Sequence, residues 1–318
     1  MRELNPKISI IGCGNVGMRY AYALMIKGLA RQIVLVDIDQ KRLEGEALDL
    51  SHGAPFISPT NIIAGDYNDI KDSEIIVITA GKKQKPGQSR LDVVKENVAL
   101  FRDIIPKITK YVPNAIFLIA SNPVDILSYA TYKFSKKDPM KVIGSGTVLD
   151  TSRLRYNIAK RCNIDPRNIH AYILGEHGDT EVPIWSKAML GGLKMDEYCF
   201  VCKHSENCIR ERELQVIFED VRDSAYKIIE SKGETSYGIG LSLVRITQAV
   251  VKDENSILTV SCLLDDYLGI SDVYLSIPVI INKDGVRDVL ELDLNKYELD
   301  KLNFSANTLK TVIKDLDL

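Results

Sequence analysis

Residues 7–17 read KISIIGCGNVG, and the fold turns on that stretch. Ile8, Ile10 and Ile11 make a short β-branched run, the pattern of a strand covered on both faces. Glycines follow at 12, 14 and 17 in the spacing GxGxxG, and a helical pattern begins near Val16. On their own such glycines are a weak signal. Between a strand and a helix each has a use: Gly12 permits a tight turn, Gly14 lets a ligand approach the backbone, and Gly17 lets helix and strand pack closely. The helix start then offers unpaired N–H groups to phosphates.

Twenty residues beyond Gly17, the next β-branched run, QIVLVD, ends on Asp37. A carboxylate there accepts hydrogen bonds from a ribose 2′-OH and repels a 2′-phosphate, which points to NAD rather than NADP. Further runs of the same kind, NIIAG, SEIIVITAG, NAIFLIAS and KVIGSG, alternate with helical patterns such as Val16–Leu29 and Leu91–Ile108. In the second helix, apolar residues recur at Leu91, Val94, Val98, Phe101, Ile105 and Ile108. This alternation predicts right-handed crossovers and an α/β fold with a doubly wound parallel sheet. After about Asp150 the texture changes. A helix (Asp150–Cys162) leads to a strand-like NIHAYILGEHG, then to long helices over 210–232 and 236–251, strands SILTVSCLL and VYLSIPVII, and a last helix from Lys296. Two domains are expected: a dinucleotide-binding domain over 1–145 and an α+β substrate domain over 146–318.

Apolar residues make up 45% of the 318 and charged residues 26%, which suits a sizeable buried core. The net charge of −2 gives no global field toward nucleic acid or anionic membrane, so anion binding has to come from local clusters. The chain enters a strand almost at once, leaving no room for a cleavable leader, and has no apolar run of transmembrane length. A cytoplasmic location is expected, and the six cysteines read as reduced thiols. Cys199, Cys202, His204 and Cys208 look like half a zinc site, but CxxC is the one well-spaced pair. No metal is expected there.

Four stretches carry reactive side chains. GKKQKPGQSR, residues 81–90, is a basic loop with Arg90 at its end and a neutral Gln84 among its cations. SNPVD presents Asn122 after an apolar run. DTSR sets Asp150 and Arg153 three apart, on one face of a helix. LGEHGD puts His177 next to a glycine, with a second glycine two residues before it. Reduction of a 2-keto acid by NADH needs a proton donor for the oxygen and a cation for the carboxylate. His177 is the acid/base, Asp150 orients and charges it, Arg153 clamps the carboxylate through paired hydrogen bonds, and Arg90 polarises the carbonyl. Asn122 can hydrogen-bond the substrate oxygen. Taken singly, each has a bland reading: a structural histidine, a surface ion pair, a helix start. Their coincidence with a dinucleotide fingerprint is what carries weight.

With those stretches assembled, the sequence resembles the L-lactate/malate dehydrogenase family, and within it the bacterial lactate branch. The likeness runs from GCGNVG through VDID, ITAGKKQKPGQSRLDVVKEN, SNPVDILSY, GSGTVLDTSRLR, LGEHGDTEVPIWS and KGETSYGIGLS. It implies that His177 is the proton donor/acceptor, Asp150 its partner, Arg153 the carboxylate clamp, Arg90 the mobile-loop arginine and Asn122 the residue between cofactor and substrate. It adds Thr235 to the substrate pocket, and Val16, Arg42, Tyr67, Gly81, Lys82, Ser121, Asn122 and Ser145 to the neighbours of NAD. In the malate branch the position of Gln84 is an arginine that pairs with a second carboxylate. A neutral residue there implies pyruvate over oxaloacetate, because an uncompensated carboxylate under a closed loop costs several kcal/mol, roughly a thousandfold in rate.

Arg155 lies two residues after Arg153, about 200° around the helix, and so faces away from the substrate. His170, seven residues before His177, points to the opposite face if the intervening chain is extended. Composition alone makes both surface residues. The resemblance implies that they bind fructose 1,6-bisphosphate at a subunit interface of a homotetramer. Other readings stay open at this point: a malate or longer-chain 2-hydroxy acid dehydrogenase, a catalytically silent NAD(H)-binding protein, and, remotely, an NAD- and metal-dependent glycosidase of the same fold class.

Overall fold

The computed structural model describes residues 5–82, 90–195 and 210–318. The opening stretch forms β1 (Lys7–Ile11) and, across the glycine turn, α1 (Asn15–Lys27). There follow β2 (Gln32–Val36), α2 (Gln40–His52), β3 (Asn61–Ala64), β4 (Ile75–Ile78), α3 (Arg90–Tyr111), β5 (Ile116–Ile119), α4 (Val124–Ser135) and β6 (Val142–Gly144). Parallel pairing sets these strands in the order β3-β2-β1-β4-β5-β6. Helices cover both faces, so Ile8, Ile10, Ile76, Val77, Phe117 and Ile119 are fully buried on either side of the pleat. Each such side chain contributes about 1.5–3 kcal/mol by leaving water. The strand order reverses between β1 and β4, the place where open α/β sheets bind ligands.

The rest of the chain adds α5 (Val148–Cys162), β7 (Ile169–His170), β8 (Ile173–Leu174), β9 (Val182–Pro183), β10 (Met189–Leu190) and β11 (Leu193–Lys194). It ends with α6 (Arg210–Lys232), α7 (Tyr237–Val251), β12 (Ser256–Leu264), β13 (Val273–Asn282), β14 (Gly285–Val289) and α8 (Lys296–Asp315). The sheet does not stop at β6. β12 pairs antiparallel with β6 at Ser261 and Gly144, and β13 and β14 continue outward, giving nine strands among the described residues. The two strands expected in a separate domain therefore extend the first sheet. Antiparallel strands carry no mark of the partner they will find.

The expected strand NIHAYILGEHG is broken. β7 pairs with β10, β8 pairs with β9, and the chain turns at Gly175, whose φ is +94°. α1 and α7 join the halves: Tyr20 and Thr247 share a buried hydroxyl hydrogen bond of 2.8 Å, and a Cβ at Gly240 would press on the backbone of Arg19 at 3.0 Å. Among the described residues no helix is long and apolar enough to cross a membrane.

Candidate active site

The glycine turn behaves as its spacing suggests. Gly12 has φ +93°, and a Cβ there would run into the backbone of Ala80, just past β4. A Cβ at Gly17 would strike the carbonyl of Gly12 and the Thr79 hydroxyl. At Gly14 nothing lies within 4 Å, so a ligand can reach the backbone. α1 has no side-chain cap and no acid in its first turn, and its first i to i−4 bond is donated by Met18 to Gly14. The N–H groups of Asn15, Val16 and Gly17 precede that bond and suit an anion.

Asp37 closes the turn by accepting the Cys13 N–H at 2.6 Å and the Asp39 N–H at 3.1 Å. α2 is capped by Asp39, which accepts the Arg42 N–H, so Asp37 is not engaged as a helix cap. Arg42, with Cys13, Asp37, Asp39, Leu43 and Glu46, lines a small cavity of about 30 Å³. Its guanidinium pairs with Glu46 at 3.1 Å, and the Asp37 carboxylate beside it would repel a 2′-phosphate. The residues therefore fit a dinucleotide whose ribose bears free hydroxyls. Buried beside Asp37, the Cys13 thiol is pushed up to about 12 and stays protonated.

Gly81, Asn122 and Ser145 follow β4, β5 and β6 on the same edge of the sheet as the turn. Ser121 donates to the Ala80 carbonyl at 2.5 Å, and Ser145 N–H to the Ile119 carbonyl at 2.8 Å. Asn97, which sequence reasoning missed, ties this edge together. It accepts the Lys82 N–H at 2.7 Å and donates to the Asn122 carbonyl at 3.0 Å. Lys82 also pairs with Glu96 at 3.0 Å, and half-buried Tyr67 has its phenol pushed up by burial. Arg90 is the first residue of α3. Gln84 and the Cys199/Cys202/Cys208 stretch lie outside the described residues, and the described residues contain no cluster able to hold a metal ion.

At the centre Asp150, in the first turn of α5 and 3% exposed, holds two partners. Its Oδ2 meets His177 Nδ1 at 2.6 Å, and its Oδ1 accepts from Arg153 at 2.9 Å. An ionised carboxylate can only accept, so Nδ1 carries the hydrogen and Nε2 is the ring nitrogen left for a ligand. The His177 side chain is 26% exposed, enough for a small ligand to reach it. Burial alone would push the imidazole down, but the Asp150 charge and hydrogen bond, with Asp125 and Glu181 behind, raise it to about 9. Asp150 is pulled the other way. Burial pushes it up, and the charges and hydrogen bonds of His177 and Arg153 outweigh that and hold it below its ordinary value.

Two further acids were not anticipated. Asp125, in SNPVD, accepts the His177 backbone N–H at 2.8 Å, and burial lifts it to about 6. Glu181, in HGDTEV, is 7% exposed and raised well above the carboxylate range by burial and by Asp150. The His177 loop is pinned elsewhere by Ser305, which accepts the Glu176 N–H at 2.8 Å, and by Ser276 on β13, bonded to Gly175.

Thr235 sits half-buried in the α6–α7 connector. Next to it, the Glu234 carboxyl is pushed up by burial but held below its usual range by Ser236, Lys232, and Asn15 and Arg19 of α1. Arg155 turns away from Arg153 and donates to the Ala171 carbonyl at 3.2 Å, beside exposed His170.

A dinucleotide turn at the switch point of a doubly wound sheet, joined to a carboxylate-held histidine and an arginine, is an arrangement suited to an NAD-dependent oxidoreductase. The lactate/malate dehydrogenase NAD-binding domain matches residues 6–144, and the alpha/beta C-terminal domain of the same family matches 147–317. The chain belongs to the lactate/malate dehydrogenase family and uses NAD. It is 50% identical over 313 residues to an L-lactate dehydrogenase of Thermoanaerobacter sp. (strain X514), covering 98% of this chain and 99% of the relative. L-lactate dehydrogenase 1 of Clostridium acetobutylicum is 50% identical over 307 residues, covering 96% and 97%. Among solved structures, a lactate dehydrogenase enzyme from a Medee basin deep-sea metagenome library superposes with a TM-score of 0.94 at 44% identity, covering 99% of this chain and all of that one.

Proposed function

We propose that the protein is an L-lactate dehydrogenase that reversibly reduces pyruvate to (S)-lactate. The observation that carries this reading is Asp150 bridging His177 and Arg153, at 2.6 and 2.9 Å. Asp150 sets the two cationic side chains side by side, so that one can protonate a carbonyl oxygen while the other holds a carboxylate on the guest. NADH, held by the glycine turn and Asp37, would supply the hydride for the carbonyl carbon. Arg153 holds the substrate carboxylate with the donors it does not spend on Asp150. His177 Nε2 gives its proton to the carbonyl oxygen as the C–H bond forms, and the products are a hydroxyl group and a neutral imidazole. In the reverse direction the neutral ring takes the hydroxyl proton, and Asp150 stabilises the imidazolium. Arg90 polarises the carbonyl, Asn122 hydrogen-bonds the same oxygen, and Thr235 lines the pocket.

The turn of Gly12, Gly14 and Gly17 with Val16 would hold the pyrophosphate, and Asp37 the ribose hydroxyls. Arg42, Tyr67, Gly81, Lys82, Ser121 and Ser145 would line the rest of the NAD path. Residues 1–145 would thus carry the cofactor, and 146–318 the acid/base and carboxylate clamp. Gln84 would set substrate choice, because it offers no counter-ion to a second carboxylate. We further propose that Arg155 and His170 bind fructose 1,6-bisphosphate in a homotetramer, and that the enzyme reoxidises NADH at the end of a cytoplasmic fermentation. What supports the pairing is the Arg155 hydrogen bond to the residue after His170.

Initial rates of NADH oxidation with pyruvate, oxaloacetate and 2-ketoisocaproate, each with and without fructose 1,6-bisphosphate, test the reading. Pyruvate is expected to be preferred by about a thousandfold over oxaloacetate, and the effector to raise pyruvate affinity. Replacing Gln84 with arginine is expected to move preference strongly toward oxaloacetate. Equal rates on both acids would refute the assignment.

A further inference from the structure

Asp125 stands in the first turn of α4, three residues after Asn122, with 2% of its surface exposed. Its Oδ2 accepts the His177 backbone N–H at 2.8 Å. Its Oδ1 is enclosed and meets no hydrogen-bond partner. The Ser261 hydroxyl of β12 comes close enough to favour the ionised acid, yet it too falls outside hydrogen-bond geometry. The titratable groups that act on Asp125 are Glu176 and His177, both in the loop after β8. A carboxylate with one full hydrogen bond in so dry a setting is costly to keep ionised. A neutral acceptor would serve the N–H as well. What only a carboxylate supplies is its charge, and that charge is among the influences that raise His177. Asp125 also reaches across the molecule: it lies in the region matched by the NAD-binding domain, and His177 in the region matched by the C-terminal one.

We propose that Asp125 is a positioning residue for His177, fixing where the ring stands through the backbone N–H and keeping the ring protonated through its charge. This rests on His177 being the proton donor. The two contributions separate with pH. Burial lifts Asp125 to about 6, so below that the acid is neutral and its charge no longer acts on the imidazole, whereas its carbonyl oxygen still accepts the N–H.

The test is NMR titration of carbon-13-labelled histidine in the full-length protein with NADH bound, alongside steady-state rates. The chain has four histidines, and the His177 signal is assigned by its loss in His177→Asn. Asp125→Asn keeps an oxygen for the N–H and removes the charge. The His177 midpoint is expected to fall by about one pH unit, a tenfold loss of proton affinity. The upper limb of kcat/KM for pyruvate should move with it, and the Kd for NADH should stay within about twofold. Asp125→Ala removes both contributions and is expected to lower kcat at pH 7 by a further ~10–100-fold. A lowered Tm with unmoved midpoint and kcat would mean that Asp125 is merely structural, and would overturn the proposal. If neither variant folds, the wild type decides: ionisation of Asp125 should appear as a second, smaller inflection of the His177 signal near pH 6, and a single inflection overturns the proposal. The midpoints need no turnover. A wild type inert toward 2-keto acids, with a midpoint that still falls in Asp125→Asn, would refute the activity and leave the coupling between these residues standing.

Discussion

The dinucleotide turn and the His177 centre are built on opposite principles. The turn is almost all backbone: contiguous residues from Gly12 to Gly17, held by contacts that leave no room for a Cβ at either end, with one carboxylate, Asp37, bonded to it. The centre is almost all side chain. Asp150, Arg153, His177, Asp125 and Glu181 come from α4, α5 and the loop after β8, and burial sets their charges. The first should tolerate changes of charge and fail on added carbon. The second should keep its shape under isosteric substitution and fail when a charge is removed.

Four substitutions can break or sharpen that contrast. His177→Asn removes the proposed proton donor and should lower kcat by ~10³–10⁴-fold, while NADH fluorescence titrations give an unchanged Kd. Gly12→Ala should weaken NADH binding by about two orders of magnitude, because the new Cβ meets the Ala80 backbone at a φ of +93°. The His177 midpoint in the folded variant should stay near its wild-type value. Arg153→Lys keeps the charge but loses the planar fork, so the KM for pyruvate should rise ~10–100-fold with a smaller change in NADH affinity. Asp37→Asn is the mildest. It retains an acceptor for the Cys13 N–H, and should reduce the preference for NADH over NADPH by roughly tenfold, read from the ratio of their KM values.

The same contrast explains what could be read from the chain before its structure. The turn was legible because its glycines, the strand before it and the helix after it are neighbours in sequence. Asp150 and Arg153 were legible because helical geometry puts residues three apart on one face, and they do meet through a hydrogen bond. Asp125 and Glu181 sit in SNPVD and LGEHGDTE, two of the reactive motifs, but neither motif shows what that acid does. An acid's part depends on how dry its surroundings are, and a sequence shows the acid without them. A faint signal existed for Asp125: it is the lone charge in VDILSYAT, a helical segment otherwise fit for burial. Asn97 was hidden within the amphipathic pattern of α3. The joining of β12 to β6 was not legible either, since partner choice among antiparallel strands is made by the assembled sheet edge.

The central claim is that Asp150 keeps His177 protonated through the physiological range so that it can donate. The most direct measurement is the pH dependence of kcat/KM for pyruvate reduction in the wild type. His177 is raised to about 9, so the donor form is present below that value and lost above it. The profile should be level from pH 7 to 8 and fall about tenfold per unit beyond pH 9, with lactate oxidation rising over the same interval. A descending limb centred near pH 6.5, the ordinary value for histidine, would contradict the claim.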